Sequence, residues 1–264
     1  MNAAIFTKSA KGLIVASGLI AASSVMGYAQ DAPVALGAQA TVPLSSMYVS
    51  APTGSASLGG HTFDLSGGNL IALANGQSAS FAGSWANATG AYLLLNSANT
   101  YSWYDQSVVG TVTVTFSDGT TQSTDLMVGG NLREWRTGAG FTVNTLTDPA
   151  ASTVWTGTAQ TSMGGGTAVL DMLTISLAGT KTVTGLTLAN TNSWGGLQIN
   201  LAGLTIDPVI PVTTPTCNRP GSSCTTPAAQ NSQAWKWQPT VPGAVNTNPH
   251  AQNADAATKA HTTH

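Results

Sequence analysis

Charged residues make up 7% of the 264-residue chain, and eight Lys and Arg stand against ten Asp and Glu, a net charge of −2. So few basic groups, thinly spread, leave no electrostatic footprint for nucleic acid or for an anionic membrane, and both partners are excluded. Ser, Thr, Asn, Gln and Gly are abundant, so hydroxyls and amides must wet the surface in place of ions.

Lys8 and Lys11 precede the apolar run 13–25, which leads to Gly27-Tyr28-Ala29 and then Gln30. A positive n-region, an apolar h-region and a small-residue cleavage site predict a secretory signal peptide over residues 1–29. The run from residue 13 to 29 is 17 residues long, short of the roughly 20 that span a bilayer. No later segment is apolar for long enough, so no membrane span is expected after cleavage. The mature chain then carries six basic and ten acidic groups, a net charge of −4. Residues 30–41 read as an N-terminal linker.

From residue 42 to 206, short apolar or β-branched runs are cut by Gly, Asn, Asp and Ser, with no sustained 3.6-residue period. That pattern predicts strands. They fall at 62–65, 70–73, 78–81, 91–96, 110–116, 121–127, 153–160, 170–177, 182–188 and 197–204. In 112–124 apolar residues alternate with threonines, placing Val112, Val114 and Phe116 on one strand face, and Asp118-Gly119 is a tight-turn dipeptide, so this stretch is a β-hairpin. Tyr92-Leu93-Leu94-Leu95 is a continuous apolar run, expected of a strand buried on both sides. About ten short strands without intervening helices give the fold class: all-β, a single antiparallel β-sandwich of jelly-roll-like type.

Beyond the strands, residues 207–264 form a Pro/Thr/Asn-rich tail, read as flexible and extended. Cys217 and Cys224 flank Pro220-Gly221, and in an exported protein they are expected to form a local disulfide. Trp235 and Trp237 either dock back onto the domain or form an adhesive patch. No zinc-ligand spacing is present, and no metal or other cofactor is expected.

Chemistry-bearing residues are sparse. The sole glutamate, Glu134, and Asp105 are the pair a glycosidase would need, but nothing in their spacing singles them out. There is no nucleophile elbow, and Gly164-Gly165-Gly166-Thr167 lacks the lysine of a phosphate-binding loop. The chain is therefore expected not to be an enzyme. In Arg133-Glu134-Trp135-Arg136, Trp135 is expected to close the sandwich edge while Glu134 and Arg136 form a surface ion pair. Sugar recognition needs aromatic faces beside amides or carboxylates. Tyr101, Trp103, Tyr104 and Asp105 supply them in one inter-strand loop, and Asn192 and Trp194 in another. These six are the candidate ligand-binding residues; the alternative is that the tryptophans cap the core.

A resemblance adds to this reading. Gly60-His61-Thr62-Phe63-Asp64-Leu65, the hairpin through Asp118-Gly119 and Trp135 shortly after it are similar in order to the non-catalytic β-sandwich domains, carbohydrate-binding-module-like, appended to bacterial secreted glycoside hydrolases and cell-surface proteins. The similarity covers about residues 42–206. It implies a β-sandwich working outside the cell or on its surface, with polysaccharide or cell-surface glycan as partner. The usual catalytic companion domain is missing, which keeps open the alternative of a structural matrix, surface-layer or filament protein that self-assembles.

Overall fold

The computed structural model describes residues 28–138 and 140–210, and within them the chain is all-β, with helix confined to Leu44–Met47 and three 3-10 turns. The longer strands are β1 (Gly54–Leu58), β2 (His61–Leu65), β3 (Asn69–Leu73), β4 (Ser78–Trp85), β5 (Gly90–Ala98), β6 (Val108–Phe116), β7 (Thr121–Met127), β8 (Ala151–Ala159), β9 (Thr167–Ser176), β10 (Val183–Asn190) and β11 (Gln198–Asp207). They form two main antiparallel sheets. The smaller runs β7-β6-β10-β4, and the larger runs β3-β11-β5-β9-β8, with Val42–Pro43 beyond β3 and Tyr48–Val49 beyond β8.

Alternation in sequence becomes alternation across the smaller sheet. Val112, Val114 and Phe116 point inward with Leu186, Leu188 and Phe81. The outward threonines and serines pair across strands, as in Thr113 to Ser123 at 3.1 Å and Ser80 to Thr187 at 3.0 Å. Register is fixed accordingly, with Val112 opposite Leu188 and Val114 opposite Leu186. The hairpin turns at Asp118, whose Oδ1 accepts from the Thr120 amide at 3.0 Å and its hydroxyl at 2.6 Å.

The larger sheet is covered on both faces, which explains its unbroken apolar strands. Leu93 and Leu95 face the smaller sheet in one core, joined by Leu173, Ile199, Leu201 and Leu204. Leu94 points the other way into a second core with Phe63 and Leu65 of β2, Leu44, Leu170 and Met172. All three leucines are essentially inaccessible to water, each worth about 1.5–3 kcal/mol of transfer free energy.

Three expectations change. Trp135 is buried in the second core and meets Tyr48 edge-on at 5.6 Å, rather than closing an edge. Glu134 makes no ion pair with Arg136; it is buried, and its Oε2 accepts the Thr100 amide at 2.8 Å. The ion pair of this segment is Arg133 to Asp171, 2.7 Å from Nε to Oδ2 and 2.8 Å from Nη2 to Oδ1. Third, Ala32–Val34, placed by sequence in a linker, hydrogen-bonds as a short strand to β11. Residues 1–27 of the expected signal peptide, and Cys217, Cys224, Trp235 and Trp237 of the tail, lie outside the described residues. Among the described residues no helix is long and apolar enough to cross a membrane.

Candidate functional site

Four loops leave the sheets at the end of the sandwich where β5 and β10 finish and β6 and β11 begin. Backbone pairing builds the first contact between them. Ser102 N donates to Phe141 O at 2.9 Å, and Val143 N to Thr100 O at 2.8 Å, so the stretch after Thr137 runs alongside the Tyr101 loop. Tyr104 then reaches across to the loop after β10, where its hydroxyl donates to Trp194 O at 3.1 Å. Asn75, from the β3–β4 turn, donates to the same carbonyl at 3.1 Å and to Gly195 O at 2.8 Å. Gly195 is required at this junction: its φ is +66°, and a Cβ there would stand 1.9 Å from the Tyr104 hydroxyl.

These bonds line up five rings. Phe141 lies 6.4 Å from Tyr101, Tyr101 stacks on Trp103 at 4.6 Å, Trp103 tilts against Tyr104 at 6.2 Å, and Tyr104 stacks on Trp194 at 4.4 Å. The spacings are those of favourable aromatic pairs. Tyr104 is the buried anchor of the row, while Trp103, Phe141 and Trp194 are 60%, 67% and 49% exposed. Trp103 is thus backed by Tyr101 and Tyr104, and Trp194 by Tyr104, and each indole leaves about half of its surface open to solvent.

The two aromatic loops singled out in sequence do meet, but the roles within them differ from those expected. Tyr104 and Asn192 support the site from beneath. Asn192 is buried, and its Nδ2 donates to Trp194 O at 2.5 Å and to Asn75 Oδ1 at 3.2 Å. Asp105 is exposed, its Oδ1 accepts from Gln106 Nε2 at 3.3 Å, and the same oxygen lies close to Gly129, where a Cβ would stand 2.5 Å from it. Phe141 was missed, because a lone phenylalanine after a glycine-rich stretch carries no periodic signal. Asn75 was missed because it looks like an ordinary turn residue.

The chain matches no protein-family model, no curated protein and no solved structure.

A second group of polar side chains sits at the opposite end of β11. Asp31 precedes Ala32–Val34, His61 opens β2 and Asp207 closes β11. His61 Nδ1 lies 2.9 Å from Asp31 Oδ1 and 3.9 Å from Asp207 Oδ2. The imidazole stacks on Tyr92 at 3.4 Å, and Thr62 N donates to Asp31 Oδ2 at 2.6 Å. Tyr92 fits because Gly90, beside Asp207 in the ladder, has no side chain: a Cβ there would be 2.5 Å from the Tyr92 hydroxyl. Burial, with the negative charge of Asp207, raises the Tyr92 phenol to about 12. Burial also raises the Asp207 carboxyl, reinforced by Asp31. Burial acts upward on Asp31 too, but hydrogen bonds from His61 and Thr62 outweigh it and hold Asp31 below the usual carboxylate range. No cue in the sequence links positions 31, 61 and 207; only the topology brings them together.

Proposed function

We propose that the chain is a secreted, non-catalytic carbohydrate-binding module of the cell surface or extracellular space. It takes polysaccharide or surface glycan on the aromatic row at the β5/β10 end of the sandwich. The observation that carries this reading is the exposure of Trp103, Phe141 and Trp194, joined through Tyr101 and Tyr104 in one continuous set of ring contacts. Large aromatics exposed together and rimmed by polar residues mark a binding surface. Ring faces suit the apolar sides of sugar rings, and rings already locked by backing partners lose little freedom on binding.

The non-catalytic reading is supported by the burial of Glu134, the chain's sole glutamate, with its Oε2 held by the Thr100 amide. The secreted setting rests on the n-region, h-region and cleavage site at residues 8–29. The test is retention of the purified chain on a panel of insoluble polysaccharides, with Trp103→Ala and Trp194→Ala beside it. Wild type is expected to be retained on at least one glycan, and each variant to bind at least about tenfold more weakly, a loss of about 1.4 kcal/mol. Retention on no glycan, or undiminished retention of both variants, would overturn the reading.

A further inference from the structure

Asp31, His61 and Asp207 each offer one ligand atom within 4.8 Å of the others. They come from three separate segments: the N-terminal stretch, the start of β2 and the last residue of β11. An open pocket of about 570 Å³ lies over them, bordered also by Gln30 and Gly60. Among these groups Asp207 has an unmet need. Its side chain is only 9% exposed; its Oδ1 has no hydrogen-bond partner, while its Oδ2 stands 3.9 Å from His61 Nδ1 and the Tyr92 hydroxyl bonds the same carboxylate. A buried carboxylate oxygen left without a donor costs free energy unless something cationic completes it.

We propose that Asp31, His61 and Asp207 form a binding site for a divalent transition-metal cation of the Zn²⁺ type. One imidazole nitrogen and two carboxylate oxygens are a borderline donor set, suited to such an ion rather than to Ca²⁺, which prefers six to eight oxygens. Ligand bonds of about 2.1 Å in a tetrahedral shell separate ligand atoms by about 3.4 Å. His61 Nδ1 already stands 2.9 Å from one carboxylate and 3.9 Å from the other, so small side-chain rotations centre an ion among the three. The remaining coordination position opens into the pocket and takes water.

The surroundings are those of a supported ligand set. Tyr92 fixes the plane of the imidazole by stacking, and the Thr62 amide holds the second oxygen of Asp31. Both carboxylates face the same His61 nitrogen, and a cation among the three lies between Asp31 and Asp207 and screens one from the other. Because the three ligands belong to the beginning, the β1–β2 hairpin and the end of the described domain, the ion acts as a clasp. It ties the stretch before Ala32–Val34 to the exit of β11.

The test is calorimetric titration of the full chain with Zn²⁺, with thermal melts in Zn²⁺ and in chelator. His250, His261 and His264 are replaced by Ala throughout to remove competing imidazoles. One equivalent is expected to bind, and Tm to rise by about 5–10 °C at an ion concentration about 100 times Kd. His61→Gln and Asp207→Asn, each shown to be folded by circular dichroism, are expected to lower the affinity more than about tenfold and to abolish the Tm shift. The absence of both heat and Tm shift would overturn the proposal. So would Zn²⁺ affinity unchanged in both variants, or a preference for Ca²⁺ that His61→Gln leaves intact.

Discussion

Single residues decide much of this molecule, and several do so through one bond. Gly195 lets the Tyr104 hydroxyl meet the carbonyl of Trp194. Gly195→Ala combines a positive φ with a steric overlap, and is expected to destabilise the fold by about 1–3 kcal/mol in chemical denaturation. It should also shift the near-ultraviolet circular dichroism of Trp194. Asp171 holds the Arg133 guanidinium by two bonds, with the side chains 4% and 12% exposed. Asp171→Ala leaves that cation without its counter-charge and is expected to cost about 3–5 kcal/mol by the same measurement. Burial raises the Glu134 carboxyl above its ordinary value, against the lowering effect of its bonds to Thr100 and the charge of Arg136. The folded state therefore holds this proton more tightly than the unfolded state does. Its contribution to stability is largest below about pH 4.5 and is lost as pH rises through the raised folded value. Glu134→Gln keeps an acceptor for the Thr100 amide, and is expected to flatten that part of the stability–pH curve and make the variant relatively more stable near pH 7. A steeper curve in the variant would contradict this account.

At the scale of elements, the legible features were those written in local pattern. The Val112 to Thr124 alternation with Asp118-Gly119 predicts the β6–β7 hairpin, and β7 spans Thr121–Met127 as expected. Tyr92-Leu93-Leu94-Leu95 predicts burial on both sides, and Leu94 and its neighbours do face different cores. Leu94→Ala should cost about 2–5 kcal/mol, close to Leu93→Ala, since both faces of β5 are packed. A Leu94 variant within about 0.5 kcal/mol of wild type would show that the second face is open. Where pattern failed, the partner lay far off in sequence. Arg133-Glu134-Trp135-Arg136 looks like an alternating surface strand, yet Trp135 N bonds Ser97 O at 2.8 Å and Ser97 N bonds Arg133 O at 2.8 Å. Those bonds draw the segment onto β5 and bury Trp135 and Glu134. Ala32–Val34 is too short to show a period, and becomes a strand only because β11 offers it an edge.

Over the whole molecule, the two ends of β11 carry the two candidate sites, separated by ten residues of extended chain, on the order of 30 Å. The aromatic residues of the first were visible in sequence as two loop clusters, because exposed Trp and Tyr in loops are unusual enough to notice. That the loops converge was not visible, since convergence depends on β5, β6, β10 and β11 all meeting at one end of the sandwich. In the cluster of Asp31, His61 and Asp207 the first and last residues stand 176 positions apart, and it left no spacing signature at all. If the convergent aromatic row binds glycan, as proposed, the sugar must touch its tryptophans. An NMR titration of the ¹⁵N-labelled chain with soluble oligosaccharides cut from whichever polysaccharide retains it, following the indole N–H signals, decides this. Trp103 and Trp194 should shift in a saturable manner while the buried Trp135 stays in place; shifts confined to other residues, or none at all, would contradict the assignment.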